Sequence, residues 1–516
     1  MMMSPIGQVL VLFAVLSALA SPQWVSAEGS RGGFDDAFGP RFYPDARQDH
    51  PKLKHRPRHG FDRATGVRHW NQIAVDASGL DHTPVALGET RVFGEQLGPS
   101  RAARAMAIVH LAVFEVVNAV EGDYKSYVGM PHGKLGTSLQ AGVAQAAHDT
   151  LVALFPSQAA LFDTTLEEEL EEIPDGRLKT NGIALGKRAA SAILAARAND
   201  GSQHPEPRVG IEFLTSNDPG KWRQDPISMI PLALGADWDK VKPFVLERAD
   251  QFRVPPPPRL DSPDYAAAYN EVKTLGGDGV VTPTTRTTEQ TQIGIYWAYD
   301  GTPSLCAPPR LYNQIAMTIA HKMGTDNDVM ELARLLALVH VAMADAGSAV
   351  WESKYYYQYW RPITGIREAD ERTGPSGLGD GNPATAGDTN FSPLGAPASN
   401  LMGPNFTPPF PAYPSGHAGF GGALFEMLRN YYKTDRIRFT FVSDEFNGVT
   451  RDNVGNVRPL VERSFSSLSQ AEEENGQSRI YLGIHWAFDK TEGIAQGRRV
   501  ADYVYKNMLR PQRQGR

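Results

Sequence analysis

The sequence predicts an all-α protein: two helical bundles with long loops, preceded by an extended N-terminal arm. Three observations carry this reading. Ala- and Leu-rich stretches with an apolar period near 3.6 residues occur in two successive sets. Long Gly-, Pro- and Asp-rich stretches separate them. Residues 28–90 are rich in Gly, Pro, Asp, Arg and His, without sustained periodicity.

In chain order, the apolar run at 9–20 is too short to span a bilayer comfortably and reads as the core of an export signal. Val25, Ser26 and Ala27 put small residues at a cleavage position, so residues 1–27 are assigned to a signal peptide and the protein to a secreted or periplasmic location. The segment before the run carries no Lys or Arg, which leaves a membrane anchor as the alternative. No other stretch reads as long and apolar enough to cross a membrane. Residues 28–90 read as an arm wrapping the body. Its His50, His55, His59, His69 and His82 lack a tight metal spacing and are read as solvated or structural.

Residues 91–262 form the first bundle region, with helices expected at 103–120, 139–155, 158–172 and 182–198. His110 falls on the apolar face of the first, as a satisfied core histidine. Residues 201–262 are loop-rich, with Pro255–Pro258 as a stiff linker. Residues 263–516 form the second bundle, with helices at 266–273, 293–298, 311–322, 328–359, 419–432 and 484–509. A long loop is expected at 370–407 and a short hairpin within 438–465.

A net charge of −7 and a pI near 6.0 argue against nucleic-acid binding and against a basic membrane-surface patch. The single cysteine, Cys306, rules out an intramolecular disulfide and reads as a buried thiol.

The chemistry gathers around Pro414-Ser415-Gly416-His417. Gly416 permits a close backbone approach, and the apolar spacing after it places Ser415 and His417 where a loop enters a helix. Backbone N–H groups and the helix dipole favour an oxyanion there. Alone, this tetrapeptide also fits an ordinary helix cap. Two further clusters accompany it. Lys354 and Arg361 are seven apart, which on one continuous helix places both on one face, with Pro362 ending that helix. Ser478, Arg479, His485 and Asp489 form the other cluster. Its last two are four apart on an expected helix, so the carboxylate fixes one ring nitrogen and leaves the other for a ligand. Surface charge or a capping arginine explains either cluster singly. Together they supply three cations, two histidines, a hydroxyl and a glycine N–H, which suits a tetrahedral oxyanion passing through a five-coordinate state.

The pattern K-x6-RP, PSGH, SR-x5-H resembles the acid-phosphatase/vanadium-haloperoxidase superfamily, and much of the last two-fifths resembles its chloroperoxidase branch. The similarity takes in WESKYYYQYWRPITGIRE at 351–368, PPFPAYPSGHAGFGGALF at 408–425 and SRIYLGIHWAFD at 478–489. It also covers IGIYWAYDG at 293–301, PPRLYNQIA at 308–316 and LGAPASN at 394–400. The resemblance implies an all-α architecture with the site at the end of the second bundle. It implies vanadate as cofactor, held through His485, with Lys354, Arg361, Ser415, Gly416 and Arg479 binding its oxygens. His417 would be the acid–base residue, Lys354 would polarise bound peroxide, and Asp300 would pair with an active-site arginine. Trp351 and Phe410 would stand beside the halide; a histidine often replaces Phe410 in bromide-limited relatives, so Phe410 leans towards chloride. The implied activity is oxidation of chloride or bromide by hydrogen peroxide to hypohalous acid, with organic halogen acceptors as further partners. A secreted phosphatase working through a phosphohistidine at His485 uses the same residues. So does a non-catalytic oxyanion-binding protein.

Overall fold

Pro99 opens the most deeply buried helix of the N-terminal half, at a position where its missing N–H costs nothing. The computed structural model describes residues 33–44, 63–86 and 88–512. The signal-peptide segment and His50, His55 and His59 lie outside the described residues. The N-terminal half holds α1 (Phe34–Phe38), α2 (Thr65–Asp81), α3 (Pro99–Glu121), α4 (Leu139–Leu154), α5 (Ala159–Glu171) and α6 (Arg177–Arg197). Helices α3, α4 and α6 pack on one another. After a loop-rich stretch come α7 (Pro263–Leu275), α8 (Thr288–Tyr296), α9 (Pro308–Met323), α10 (Val329–Tyr357) and α11 (Pro362–Arg367). The last three are α12 (Gly416–Tyr432), α13 (Leu468–Tyr481) and α14 (Ala487–Asn507). Strand is confined to two antiparallel pairs among the described residues. β1 (Tyr43–Pro44) pairs with β2 (Leu401–Met402), and β3 (Phe439–Asn447) with β4 (Leu460–Phe465) in the expected hairpin.

Two expectations need correction. Within the stretch read as an aperiodic arm, residues 65–81 form α2, whose Val67, Trp70, Ile73, Ala74 and Ala77 recur at helical spacing and are buried. Flanking Arg, His and Asp residues diluted that period in composition. Secondly, α3 is long and apolar enough to cross a membrane. Its apolar surface is instead buried inside the protein, largely against α10 and α4, so its length and composition reflect a core position.

One apolar core runs through both helical sets, with α3 and α10 along the seam. His110 on α3 and His340 on α10 stack there at 4.2 Å, beside Asn71 and Asn313. Burial pushes His110 down to about 4 and His340 well below the usual imidazole range. The unfolded chain therefore binds protons that the folded state refuses. Stability present above about pH 6.5 is lost as pH falls towards 4, by roughly 3 kcal/mol from His110 alone. Thermal melts from pH 7 to 4 should show a shallower decline for His110→Gln than for the parent protein; equal slopes would remove His110 from the account.

Helices α12 and α14 are drawn together by small residues. A Cβ on Gly497 would lie 2.0 Å from the Gly419 carbonyl oxygen, and one on Gly493 would lie 2.7 Å from that of Ser415. This close approach seats the start of α12, with Ser415 and His417, against the start of α14.

Candidate functional site

Ends of α10, α11, α12, α13 and α14 meet at the site. Ser415 caps α12, its hydroxyl accepting from the Ala418 N–H, and Gly416 and His417 form the first turn. The His417 carbonyl is fixed by the Tyr312 hydroxyl at 2.8 Å and the Asn475 amide at 3.0 Å. Its Nε2 meets the Ala298 carbonyl in a short contact. Arg479 lies near the end of α13 and is clamped by Asp300, with Nη2 to Oδ1 at 2.6 Å and Nη1 to Oδ2 at 3.1 Å. That is the carboxylate–arginine pair expected for Asp300.

Lys354 and Arg361 do converge, but not from one helix face. Helix α10 ends at Tyr357, Gln358 adopts a left-handed conformation at φ 51°, and the chain reverses. Arg361 is the N-cap of α11, and Pro362 starts that helix rather than ending the previous one. The proline favours this twice: it suits the first helical position and disfavours helical geometry at the residue before it. Lys354 Nζ donates to the carbonyls of Pro411 and Ala412 at 2.8 and 2.9 Å. Arg361 donates to the Phe410 and Ile484 carbonyls and to His485 Nε2, each at 2.9 Å.

His485 likewise precedes a helix instead of lying on one. It sits in the turn between α13 and α14, while Asp489 occupies the first turn of α14. The contact inferred from spacing is nevertheless made: Nδ1 lies 2.7 Å from Asp489 Oδ2, which also accepts the Trp486 N–H. One carboxylate thus caps the helix and fixes the ring, leaving Nε2 to accept from Arg361.

Three cations face two carboxylates here, with both histidines between them. Burial, and then Arg361, hold the Lys354 ammonium well below its usual range. Burial pushes Arg361 down to about 9 against the opposing pull of Asp489. It depresses His485, helped by Arg361, and His417, helped by Arg479. It raises Asp489 to about 7, and raises Asp300 despite Arg479. Arg361 Nη2 and Arg479 Nε are buried without a hydrogen-bond partner. Unsatisfied guanidinium donors in a cationic enclosure suit an anion with several oxygens. Among the described residues no three His, Cys, Asp or Glu side chains gather to hold a bare cation. The donor set therefore fits an oxyanion such as vanadate or phosphate, with one imidazole nitrogen towards its central atom.

Trp351 and Phe410 stand together beside this cluster, ring centroids 5.0 Å apart. The Lys354 ammonium and the Arg361 guanidinium lie 5.1 and 5.0 Å from the Phe410 centroid. Trp351 Nε1 donates to the Leu234 carbonyl at 3.0 Å. Gly235, at φ 79°, permits this approach, since a Cβ there would fall 2.3 Å from the indole. Gly416, His417, Asp300, Arg479, His485, Trp351 and Phe410 line one cavity; Lys354, Arg361 and Ser415 are not among its lining residues.

Sequence reasoning missed Tyr312, Asn475 and the Leu234–Gly235 turn. Asn475 had a signal: it lies one helical turn before Arg479. The turn had none, since nothing local links it to Trp351.

Residues 334–514 match the VCPO (vanadium chloroperoxidase) second helical-bundle domain. The chain is 29% identical over 501 residues to a vanadium chloroperoxidase of Curvularia inaequalis, covering 81% of this chain and 78% of that protein. The crystal structure of a bacterial vanadium-dependent iodoperoxidase superposes with a TM-score of 0.69 at 23% identity, over 90% of this chain and all of that one. An apo-type bacterial vanadium-dependent chloroperoxidase gives 0.59 at 17% identity, over 82% and 96%. The second bundle thus matches the VCPO second helical-bundle domain, and most of the chain is similar in sequence to a vanadium chloroperoxidase and in fold to vanadium-dependent haloperoxidases.

Proposed function

We propose that this protein is a vanadate-dependent haloperoxidase that oxidises halide with hydrogen peroxide to hypohalous acid. The observation that carries the reading is the buried cage of one histidine and three cations, with guanidinium N–H groups still to be satisfied. Vanadate(V), when bound, supplies Lewis acidity that polarises peroxide without changing its own oxidation state. The reaction balances as halide, peroxide and a proton giving hypohalous acid and water.

Within the chain, His485 Nε2 would be the ligand: Asp489 holds the opposite nitrogen, and Nε2 would give up the bond it now accepts from Arg361. Arg361, Arg479, Ser415 and the Gly416 N–H bind oxygens and balance charge. Lys354, held by its two carbonyl contacts, would use its remaining N–H to polarise peroxide at the site. His417, anchored through its carbonyl, gives and takes the proton. Trp351 and Phe410 exclude water from a weakly hydrated halide while two cations sit over the Phe410 ring.

The cage equally suits phosphate, with His485 as nucleophile and His417 as the acid for the leaving alcohol. A panel decides. With vanadate added, the protein should oxidise iodide, bromide and chloride in the presence of peroxide, chloride being the arm that tests Phe410. Added phosphate should compete. Aryl-phosphate hydrolysis inhibited by vanadate, with no halide oxidised, would replace this reading by the phosphatase.

A further inference from the structure

The ring of His417, the proton carrier of the proposed reaction, rests on a main-chain peptide. Its Nε2 meets the carbonyl oxygen of Ala298. A carbonyl only accepts, so Nε2 carries a proton and the neutral ring keeps its lone pair on Nδ1. The N–H of that same peptide unit belongs to Tyr299, and it donates to Glu445 Oε1 at 3.3 Å. One planar unit therefore lies between the histidine and a carboxylate, accepting at one end and donating at the other. Hydrogen bonds in such a chain polarise one another, the more so in surroundings of low polarity.

Glu445 is fully buried on β3, where its other oxygen accepts from Arg458 and from the Ser399 hydroxyl, the latter at 2.6 Å. The turn it grips is not one the chain favours unaided: Tyr299 has φ 46°, a left-handed conformation that a Cβ disfavours. Strand β3 fixes this turn at two further points. Ser443 Oγ donates to the Tyr296 carbonyl at 2.6 Å, and the Asp444 N–H donates to the Tyr299 hydroxyl at 2.6 Å. Asp300, the next residue, clamps Arg479. Residues 298, 299 and 300 thus meet His417, Glu445 and Arg479 in turn. A buried carboxylate is a costly way merely to fasten a peptide N–H, since an uncharged acceptor would do so without the desolvation penalty.

We propose that Glu445 is a positioning residue for turnover: through the Ala298–Tyr299 peptide its carboxylate holds the His417 ring at Nε2 and leaves Nδ1 to exchange the proton. The proposal rests on the haloperoxidase reading, with His417 as proton carrier. Negative charge at Glu445 makes the Ala298 carbonyl a stronger acceptor, and this counts most when Nδ1 takes a proton and the ring becomes a cation. Neutralising Glu445 therefore slows proton transfer without touching the anion-binding groups. Burial, against the pull of Arg458, pushes Glu445 up to about 7, so its charge is present above that pH and lost below it. The charged groups beside it are Arg458, just before β4, and Asp300, after α8. Arg310 on α9 pairs with the adjacent Asp444 instead, which also faces the Tyr299 hydroxyl.

The test is a double-mutant cycle on the full chain loaded with vanadate, with kcat for iodide read as triiodide and vanadium counted in the same samples. At about pH 8, Glu445→Gln should lower kcat about tenfold, part of the 10²–10⁴-fold attributed to a positioned acid–base group. KM for iodide and vanadium content should stay within twofold. In the His417→Ala background the same substitution should change kcat by less than twofold, because Glu445 acts through that ring. At about pH 5.5 the parent-to-variant ratio should shrink to within twofold, since the parent's carboxylate is then protonated as well. Equal fold losses in both backgrounds, a ratio unchanged between the two pH values, or vanadium lost in step with kcat would each overturn the proposal and leave Glu445 as a fastener of the hairpin. If the single variant does not fold, Glu445→Gln combined with Arg458→Met removes both buried charges and repeats the cycle, with the same results expected. Triiodide formed by the parent separates these outcomes from failure of the haloperoxidase reading, in which no triiodide appears and this proposal falls with it.

Discussion

His485→Ala is expected to abolish vanadate retention, weakening affinity by more than about 100-fold. Loss of one outer partner of a metal ligand alone costs about 10–100-fold, and this substitution removes the only side chain proposed to bond the central atom. The three cations remain, so the variant should still attract oxyanions weakly, as a salt-sensitive cluster rather than as a ligand site. Asp489→Asn should give the intermediate loss of about 10–100-fold, because the 2.7 Å contact to Nδ1 fixes the ring and its tautomer without touching the anion. Equilibrium dialysis with vanadium counted in the protein fraction distinguishes the three proteins. Wild-type retention by His485→Ala would transfer the ligand role elsewhere, and equal loss in both variants would mean that ring orientation, not the nitrogen itself, carries the binding.

The meeting of Lys354, Arg361, Ser415, His417, Arg479 and His485 was legible because short motifs with chemically distinctive residues survive a wrong account of the local backbone. The local account was in fact wrong twice. A spacing of seven between Lys354 and Arg361 fits two helical turns, yet the same spacing is met by a helix end, a left-handed Gln358 and a new cap. A spacing of four between His485 and Asp489 fits one helical turn, and equally fits a turn residue facing the first turn of the next helix. Periodicity cannot separate these cases, because the side chains end near each other in both. Pro362 held the needed signal, being better suited to opening a helix than to closing one. The cavity wall was not legible at all. Phe38, Leu232 and Phe406 come together through aromatic packing and a two-residue strand pair, neither of which leaves a period in sequence. Helix α2 shows a third kind of failure: its apolar stripe was present, but composition averaged over 28–90 concealed it.

His417→Ala separates binding from turnover and so tests what the second histidine is for. Its carbonyl, not its ring, is tied to Tyr312 and Asn475, so truncation beyond Cβ leaves the α12 cap and its N–H groups in place. Vanadate retention should stay within severalfold of wild type. Halide oxidation should fall by about 10²–10⁴-fold, the span attributed to a positioned acid–base group. The charge setting supports this division of labour. Burial, followed by Arg479, pushes the imidazole well below its ordinary range, so by itself the ring is neutral at pH 7. An oxyanion among the same cations acts with the opposite sign and draws a proton back onto it. A group whose proton affinity rises with the bound anion and falls when negative charge leaves can accept and return a proton within one cycle. The measurement is kcat for iodide and bromide beside vanadium content on the same samples. Loss of both together would make His417 a structural support of the cage, and retention of both would leave proton transfer to water.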